Sequence, residues 1–268
     1  MLTTDYFRTP TGARIAYSMQ GEGKLLIFLH GIGGNKRNWQ PQFSSSAKHF
    51  TSLAWDARGY GDSADDPPLG LFADFADDLA GLVSHLDSGP AHIVGLSMGG
   101  MIALDLVDRY PDLLASLVLA DSAAGFGPST VQERAEFLDR RLTPLLAGAS
   151  LSELAPTLLE VLITKDASAE VRQMVLDSLL RLRTQPYMQT LKAFTTTDFS
   201  SSVARITKPT LVIVGAEDRV LPVQKSEALA SCIHDARLVV IPACGHLSNI
   251  ECADAFNAHV GAFLSGIT

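Results

Sequence analysis

AHIVGLSMGGMIAL, residues 91–104, changes character at its middle. The run Ala91-His92-Ile93-Val94 leads into GLSMGG, residues 95–100, and Met101-Ile102-Ala103-Leu104 then continues with residues that favour a helix. A strand over His92–Leu96 and a helix over Met98–Arg109 leave Ser97 alone on the turn between them, with its hydroxyl projecting above the sheet edge. So sharp a turn crowds its neighbours, and Gly95, Gly99 and Gly100 let the backbone and the helix approach closely. The N–H of Met98, in the first helical turn, has no partner inside its own helix and is free to face an oxygen that carries negative charge.

Outward from this turn, short apolar runs that fit buried strands recur at Leu25–Leu29, Leu53–Trp55, Leu114–Ala120, Thr210–Val214 and Leu238–Ile241. Continuous apolar runs predict strands covered on both faces. Helical stretches lie between them, at Phe72–Leu86, Val223–Cys232 and Cys252–Leu264. Strand and helix alternate, which predicts an α/β fold: a mainly parallel sheet with right-handed crossovers and helices on both faces. The segment Tyr6–Met19, with the turn signal Thr9-Pro10-Thr11-Gly12, reads as an antiparallel hairpin leading into the sheet.

One interval breaks the rhythm. About eighty residues separate the strand ending near Asp121 from the one beginning near Thr210, where a crossover needs about a dozen. The interval reads as helices over Val131–Leu146, Leu151–Ile163, Ala169–Leu182 and Tyr187–Phe194, divided by Pro, Gly and Ser. The expected organisation is a core of residues 1–122 and 203–268 with a helical lid, 123–202, inserted at the carboxyl ends of the strands, where open α/β sheets bind ligands.

At 268 residues and 47% apolar the chain can bury one large core. Its net charge of −8, without a basic stripe, disfavours nucleic acid as a partner. The start, MLTTDYFRTPTG, lacks a signal pattern, and no apolar run approaches membrane-spanning length, so a soluble, cytoplasmic protein without a membrane partner is expected. Cys232, Cys244 and Cys252 show no zinc-ligand spacing and are expected as free thiols, without a Cys244–Cys252 bridge.

A serine hydroxyl is a poor nucleophile and needs a base, and the base needs a group to orient it. IPACGHLSN places His246 just after one apolar strand, and VIVGAEDRVLP places Asp218 just after the preceding one. In a parallel sheet both emerge at the same edge as Ser97. Asp121, which ends LVLAD, is a rival for the acid, but the Ser122-Ala123-Ala124-Gly125 that follows it suits capping and entry into the insert. FLHGIGGN, residues 28–35, ends another strand in a glycine-rich turn that can bring a second N–H, that of Ile32, to the same oxygen. His30 is expected to brace that loop. This chemistry calls for no metal and no cofactor.

The motifs HGIGG, WDARGYGDS, GLSMGG, GAEDRVLP and CGHLSNIE together resemble the α/β-hydrolase superfamily over essentially the whole chain. GLSMGGMIAL and GHLSNIE are most similar to 3-oxoadipate enol-lactonases and the esterase-like proteins grouped with them. The resemblance implies Ser97 as nucleophile, His246 as base, Asp218 as its partner, and Met98 with Ile32 as oxyanion donors. The expected activity is hydrolysis of a small ester or (enol-)lactone through an acyl-enzyme. Two alternatives remain at this point: a carbon–carbon bond hydrolase of ring-cleavage products, or a non-enzymatic small-molecule receptor on the same fold. The oligomeric state is open. A carboxylate-bearing lactone would need a cation in the pocket, for which Arg134, Arg140, Arg141, Arg181 and Arg183 are candidates by position, whereas Arg58 is expected to brace its own loop.

Overall fold

The structure, a computed structural model, describes residues 3–125 and 131–267. Phe126–Thr130 of the insert and the first two residues of the start motif lie outside the described residues. The strands are β1 (Asp5–Arg8), β2 (Arg14–Gln20), β3 (Leu25–Leu29), β4 (Thr51–Trp55), β5 (Ala91–Leu96), β6 (Leu114–Ala120), β7 (Thr210–Gly215) and β8 (Arg237–Ile241). They form one sheet in the order β1-β2-β4-β3-β5-β6-β7-β8. β2 is antiparallel to both β1 and β4, and every other pairing is parallel.

The helices are α1 (Gln40–Ser46), α2 (Ala73–Leu86), α3 (Met98–Arg109), α4 (Val131–Leu146), α5 (Leu151–Leu162), α6 (Ala169–Leu179), α7 (Thr184–Phe194), α8 (Val223–Cys232), α9 (Ser248–Glu251) and α10 (Ala253–Ser265). Side chains alternate across a strand, so each central strand feeds two cores. Leu25, Ile27 and Leu29 of β3 pack with α2, α3 and α8, while Leu26 and Phe28 pack with α1 and α10 on the other face. Each such fully buried side chain is worth about 1.5–3 kcal/mol in apolar surface removed from water.

β8 departs from the expectation of burial on both faces. It is the edge strand, and Leu238 and Val240 are 37% and 42% exposed. An apolar run does not say whether a strand lies inside a sheet or at its margin. Residues 36–46 form a short 3₁₀ turn and α1, neither of which the apolar pattern announces. The turn is capped by Asn35, whose side chain accepts from the Arg37 N–H at 3.0 Å.

The insert is helical as expected, with shifted boundaries. Ser150 opens α5 with a capping box to Glu153, and Ser168 caps α6 through the Val171 N–H. α6 stops at Leu179 rather than Leu182, and α7 begins at Thr184 rather than Tyr187, because Pro186 sits in the first helical turn, where a missing N–H costs nothing. The insert docks on the segments that follow β3 and β8 through two apolar clusters. Leu142, Leu145, Tyr187 and Leu191 meet Ile32, while Leu159, Ile163, Val175 and Leu179 meet Leu247 and Ile250.

Candidate active site

The turn after β5 is as tight as its glycines imply. Ser97 has φ +53° and ψ −115°, a conformation that L-residues rarely adopt and that the surrounding contacts must hold. Its N–H donates to the Ala120 carbonyl of β6 at 2.8 Å, and its carbonyl accepts from Gly100 N at 3.0 Å and from Ser122 Oγ at 2.8 Å. A Cβ at Gly95 would overlap the Gly99 carbonyl, and one at Gly99 would overlap the Leu29 carbonyl of β3. Gly99→Ala therefore has no relaxed conformation open to it, since backbone rather than a flexible side chain blocks the way. The expected cost is about 3 kcal/mol of stability, read as a lowered midpoint in urea.

Three side chains meet above the carboxyl ends of β5, β7 and β8. His246 Nε2 lies 3.0 Å from Ser97 Oγ, and His246 Nδ1 lies 2.8 Å from Asp218 Oδ2. With the proton on Nδ1 donated to the carboxylate, Nε2 is left to accept from the serine hydroxyl. The other oxygen of Asp218, Oδ1, accepts from the N–H groups of Val220 at 2.8 Å and Leu221 at 2.9 Å, which fixes the carboxylate plane. Asp218 and His246 are buried, whereas Ser97 is partly open.

The N–H groups of Met98 and Ile32 make no hydrogen bond among the described residues. Met98 opens α3, so its N–H belongs to the set that a helix leaves unpaired at its start. The loop carrying Ile32 is stiffened by His30. The Ala57 N–H donates to His30 Nε2 at 3.0 Å, and Nδ1 donates to the Gly31 carbonyl at 2.9 Å. Burial holds the His30 imidazole below its ordinary pKa, so it stays neutral, with both nitrogens engaged as a brace.

Asp121 does not touch the imidazole through a hydrogen bond. Its Oδ1 accepts from Gly215 N at 2.9 Å, and its Oδ2 accepts from Ser248 N at 3.3 Å and from Ser248 Oγ. Burial pushes its carboxyl up to about 7. Glu251, a residue that the sequence reading did not single out, ties the histidine loop to the insert. Its carboxylate accepts from Gly245 N at 2.9 Å, from Thr164 N at 2.9 Å and from Thr164 Oγ1, and the His246 N–H donates to Leu162 O at 3.0 Å.

The insert closes over a cavity of about 20 Å³, room for one water-sized group. Its walls include Ile32, Leu96, Leu162, Val175, Leu179 and Leu247, so it is bounded by the residue before Ser97 and the residue after His246. None of the five candidate arginines lines it. Arg183 pairs with Asp65 at 2.6 Å and donates to the carbonyls of Gly61 and Ser63, which straps α7 to the core. Arg141 lies 3.7 Å over the Phe137 ring, and Arg140 and Arg181 are exposed. Arg58 braces its loop to α2 through a paired contact with Asp78, at 2.9 and 2.6 Å. The three cysteines are unpaired. Among the described residues no group of side chains has the makings of a metal site, and no helix is long and apolar enough to cross a membrane.

A strained serine between a parallel strand and a helix, with histidine and aspartate arriving from later strands, defines a class. The chain belongs to the α/β-hydrolase family: the family model of the alpha/beta hydrolase fold matches residues 24–253. It is 29% identical over 249 residues to 3-oxoadipate enol-lactonase 2 of Acinetobacter baylyi, covering 91% of this chain and 90% of that protein. Among solved structures it is similar to a hydrolase from Pseudomonas aeruginosa, at 32% identity and a TM-score of 0.89, with 98% of each chain covered. A thermophilic esterase from Thermogutta terrifontis superposes with a TM-score of 0.90 at 26% identity, with 99% of each chain covered. The chain is thus a hydrolase of the α/β fold.

Proposed function

We propose that the protein hydrolyses small esters or lactones through an acyl-enzyme on Ser97. The observation that carries this reading is the continuous hydrogen-bond chain Ser97–His246–Asp218 beside two unpaired backbone N–H groups. His246, neutral and oriented by Asp218, takes the hydroxyl proton as Ser97 Oγ attacks the acyl carbon. The N–H groups of Met98 and Ile32 receive the oxyanion, and His246 then gives its proton to the departing alcohol or enol oxygen. Water repeats the sequence on the acyl-enzyme: its proton goes to His246, its oxygen to the acyl carbon, and Ser97 leaves with the proton returned. Oxyanion donors of this kind are worth ~3 kcal/mol each, and general-base catalysis adds about 10²- to 10⁴-fold. Enol-lactonase and esterase, the activities named for two of the relatives, both break acyl–oxygen bonds.

In this reading residues 123–202 act as a lid, and the cavity beneath them sets the acyl group. It is narrow, mostly apolar and lined by no lysine or arginine, and its polar side chains, His30, Asn38 and Ser178, are already engaged with protein partners, which favours a short, uncharged acyl chain over one that carries a carboxylate. On p-nitrophenyl esters, kcat/KM is expected to be highest for acetate or propionate and at least ~10-fold lower for octanoate, since each misfit methylene costs about 1 kcal/mol or more. A preference that rises steadily with chain length would contradict the pocket assignment. Turnover that stops after one equivalent per protein would contradict the hydrolytic reading itself.

A further inference from the structure

We propose that Asp121 is a positioning residue of this site: one buried carboxylate that clamps the loop carrying Asp218 to the loop carrying His246 and supplies a second negative charge to the imidazolium formed during reaction. The proposal rests on the reading of His246 as the base. Asp121 follows β6, the strand between those that deliver Ser97 and Asp218. Its own N–H donates to Ile213 O of β7 at 2.8 Å, and its φ of +46° is a left-handed value that aspartate tolerates better than most residues. One oxygen holds Gly215, three residues before Asp218, and the other holds both the N–H and the hydroxyl of Ser248, two residues after His246. The side chain thus spans the two loops whose separation sets the His246–Asp218 contact of 2.8 Å.

Fully buried carboxylates are normally paired with a cation, and no lysine or arginine contacts this one among the described residues. The charged and titratable groups that act on it are His246, which favours its ionised form, and Asp218, which opposes it. The thiols of Cys244 and Cys252 also lie within its field. Among the described residues the one cation available to Asp121 is therefore the imidazolium of His246, which exists only while the proton is in transit. An interaction that strengthens as the transition state is reached raises kcat rather than lowering KM. Burial holds the Asp121 carboxyl up to about 7, so this charge is developed fully only above neutral pH.

The test uses two variants and two readouts. Asp121→Asn removes the charge, and Ser248→Ala removes one donor of the clamp while keeping the charge. For Asp121→Asn, kcat is expected to fall ~10-fold with KM changed less than about twofold, and the acid limb of the rate profile to move to lower pH. Ser248→Ala is expected to lower kcat by a smaller factor without moving that limb downward. In parallel, the ring protons of His246 are titrated by NMR in a Ser97→Ala background, assigned by their loss in His246→Gln. Adding Asp121→Asn is expected to lower the titration midpoint by a few tenths of a unit, because a carboxyl at about 7 is only partly ionised in that range. An unchanged midpoint would overturn the electrostatic role, and an unchanged kcat would overturn the positioning role. Because the NMR titration needs no substrate, it reports on Asp121 even if His246 proves not to be the base, an error that would instead show as near-full turnover in His246→Gln.

Discussion

Ser97→Ala is expected to cut kcat by ~10⁵- to 10⁶-fold, the scale on which loss of a nucleophile acts in enzymes of this mechanism. The change removes one oxygen whose only hydrogen-bond partner among the described residues is His246 Nε2, at 3.0 Å. Everything that shapes the turn is left in place, including the backbone bonds to Ala120 and Gly100 and the close approach of Gly99 to β3. The thermal midpoint should therefore stay within a few degrees of the unaltered protein, because surface-lining hydroxyls away from the core contribute little. Steady-state turnover of p-nitrophenyl acetate, measured beside a melting curve, checks both halves. A variant that is folded and retains a tenth of the activity would remove Ser97 from the mechanism.

Asp218→Asn is expected to be the second most damaging change, at ~10⁴-fold in kcat by comparison with the equivalent amide substitution in a serine protease. The local hydrogen bonds say why. Oδ1 is pinned by the N–H groups of Val220 and Leu221, so the amide must keep its oxygen there and turn its NH₂ toward His246. The imidazole then has to present a bare Nδ1, its proton moves to Nε2, and it no longer accepts from Ser97. Asp121→Asn meets no such constraint at the imidazole, because Asp121 makes no hydrogen bond to it. The two variants assayed on one ester should differ by about 10³-fold, with Asp218→Asn the slower, on the mechanism just given. The opposite ranking would move the acid to β6.

The sequence made Ser97, His246 and Asp218 visible for a simple reason. Each follows a continuous apolar run, and in a parallel sheet such runs end at one edge. The loop of Ile32 was readable on the same ground. Asp121 also follows such a run, so the apolar pattern alone could not rank the two acids; the residues that follow each favoured Asp218, and the 2.8 Å contact with His246 is a matter of side-chain reach, which periodicity does not encode. The exposure of Leu238 and Val240 was hidden because β8 has the composition of an interior strand while lying at the margin. The role of Glu251 was hidden too, since its partners Gly245 and Thr164 are brought to it by the insert from a distant part of the chain. The start of α7 before Pro186 was open to inference, because proline fits the first turn of a helix as well as it breaks an interior.

The central claim is a covalent bond to Ser97. Incubation with a fluorophosphonate allows that oxygen to displace fluoride from phosphorus, with the proton passing to His246, and leaves a stable phosphonyl ester. Intact-mass measurement followed by peptide mapping should find one phosphonyl group per chain, on the peptide that contains Ser97, and none on the Ser97→Ala protein. Labelling at another residue, or an unlabelled protein that still turns over p-nitrophenyl acetate, would contradict the account.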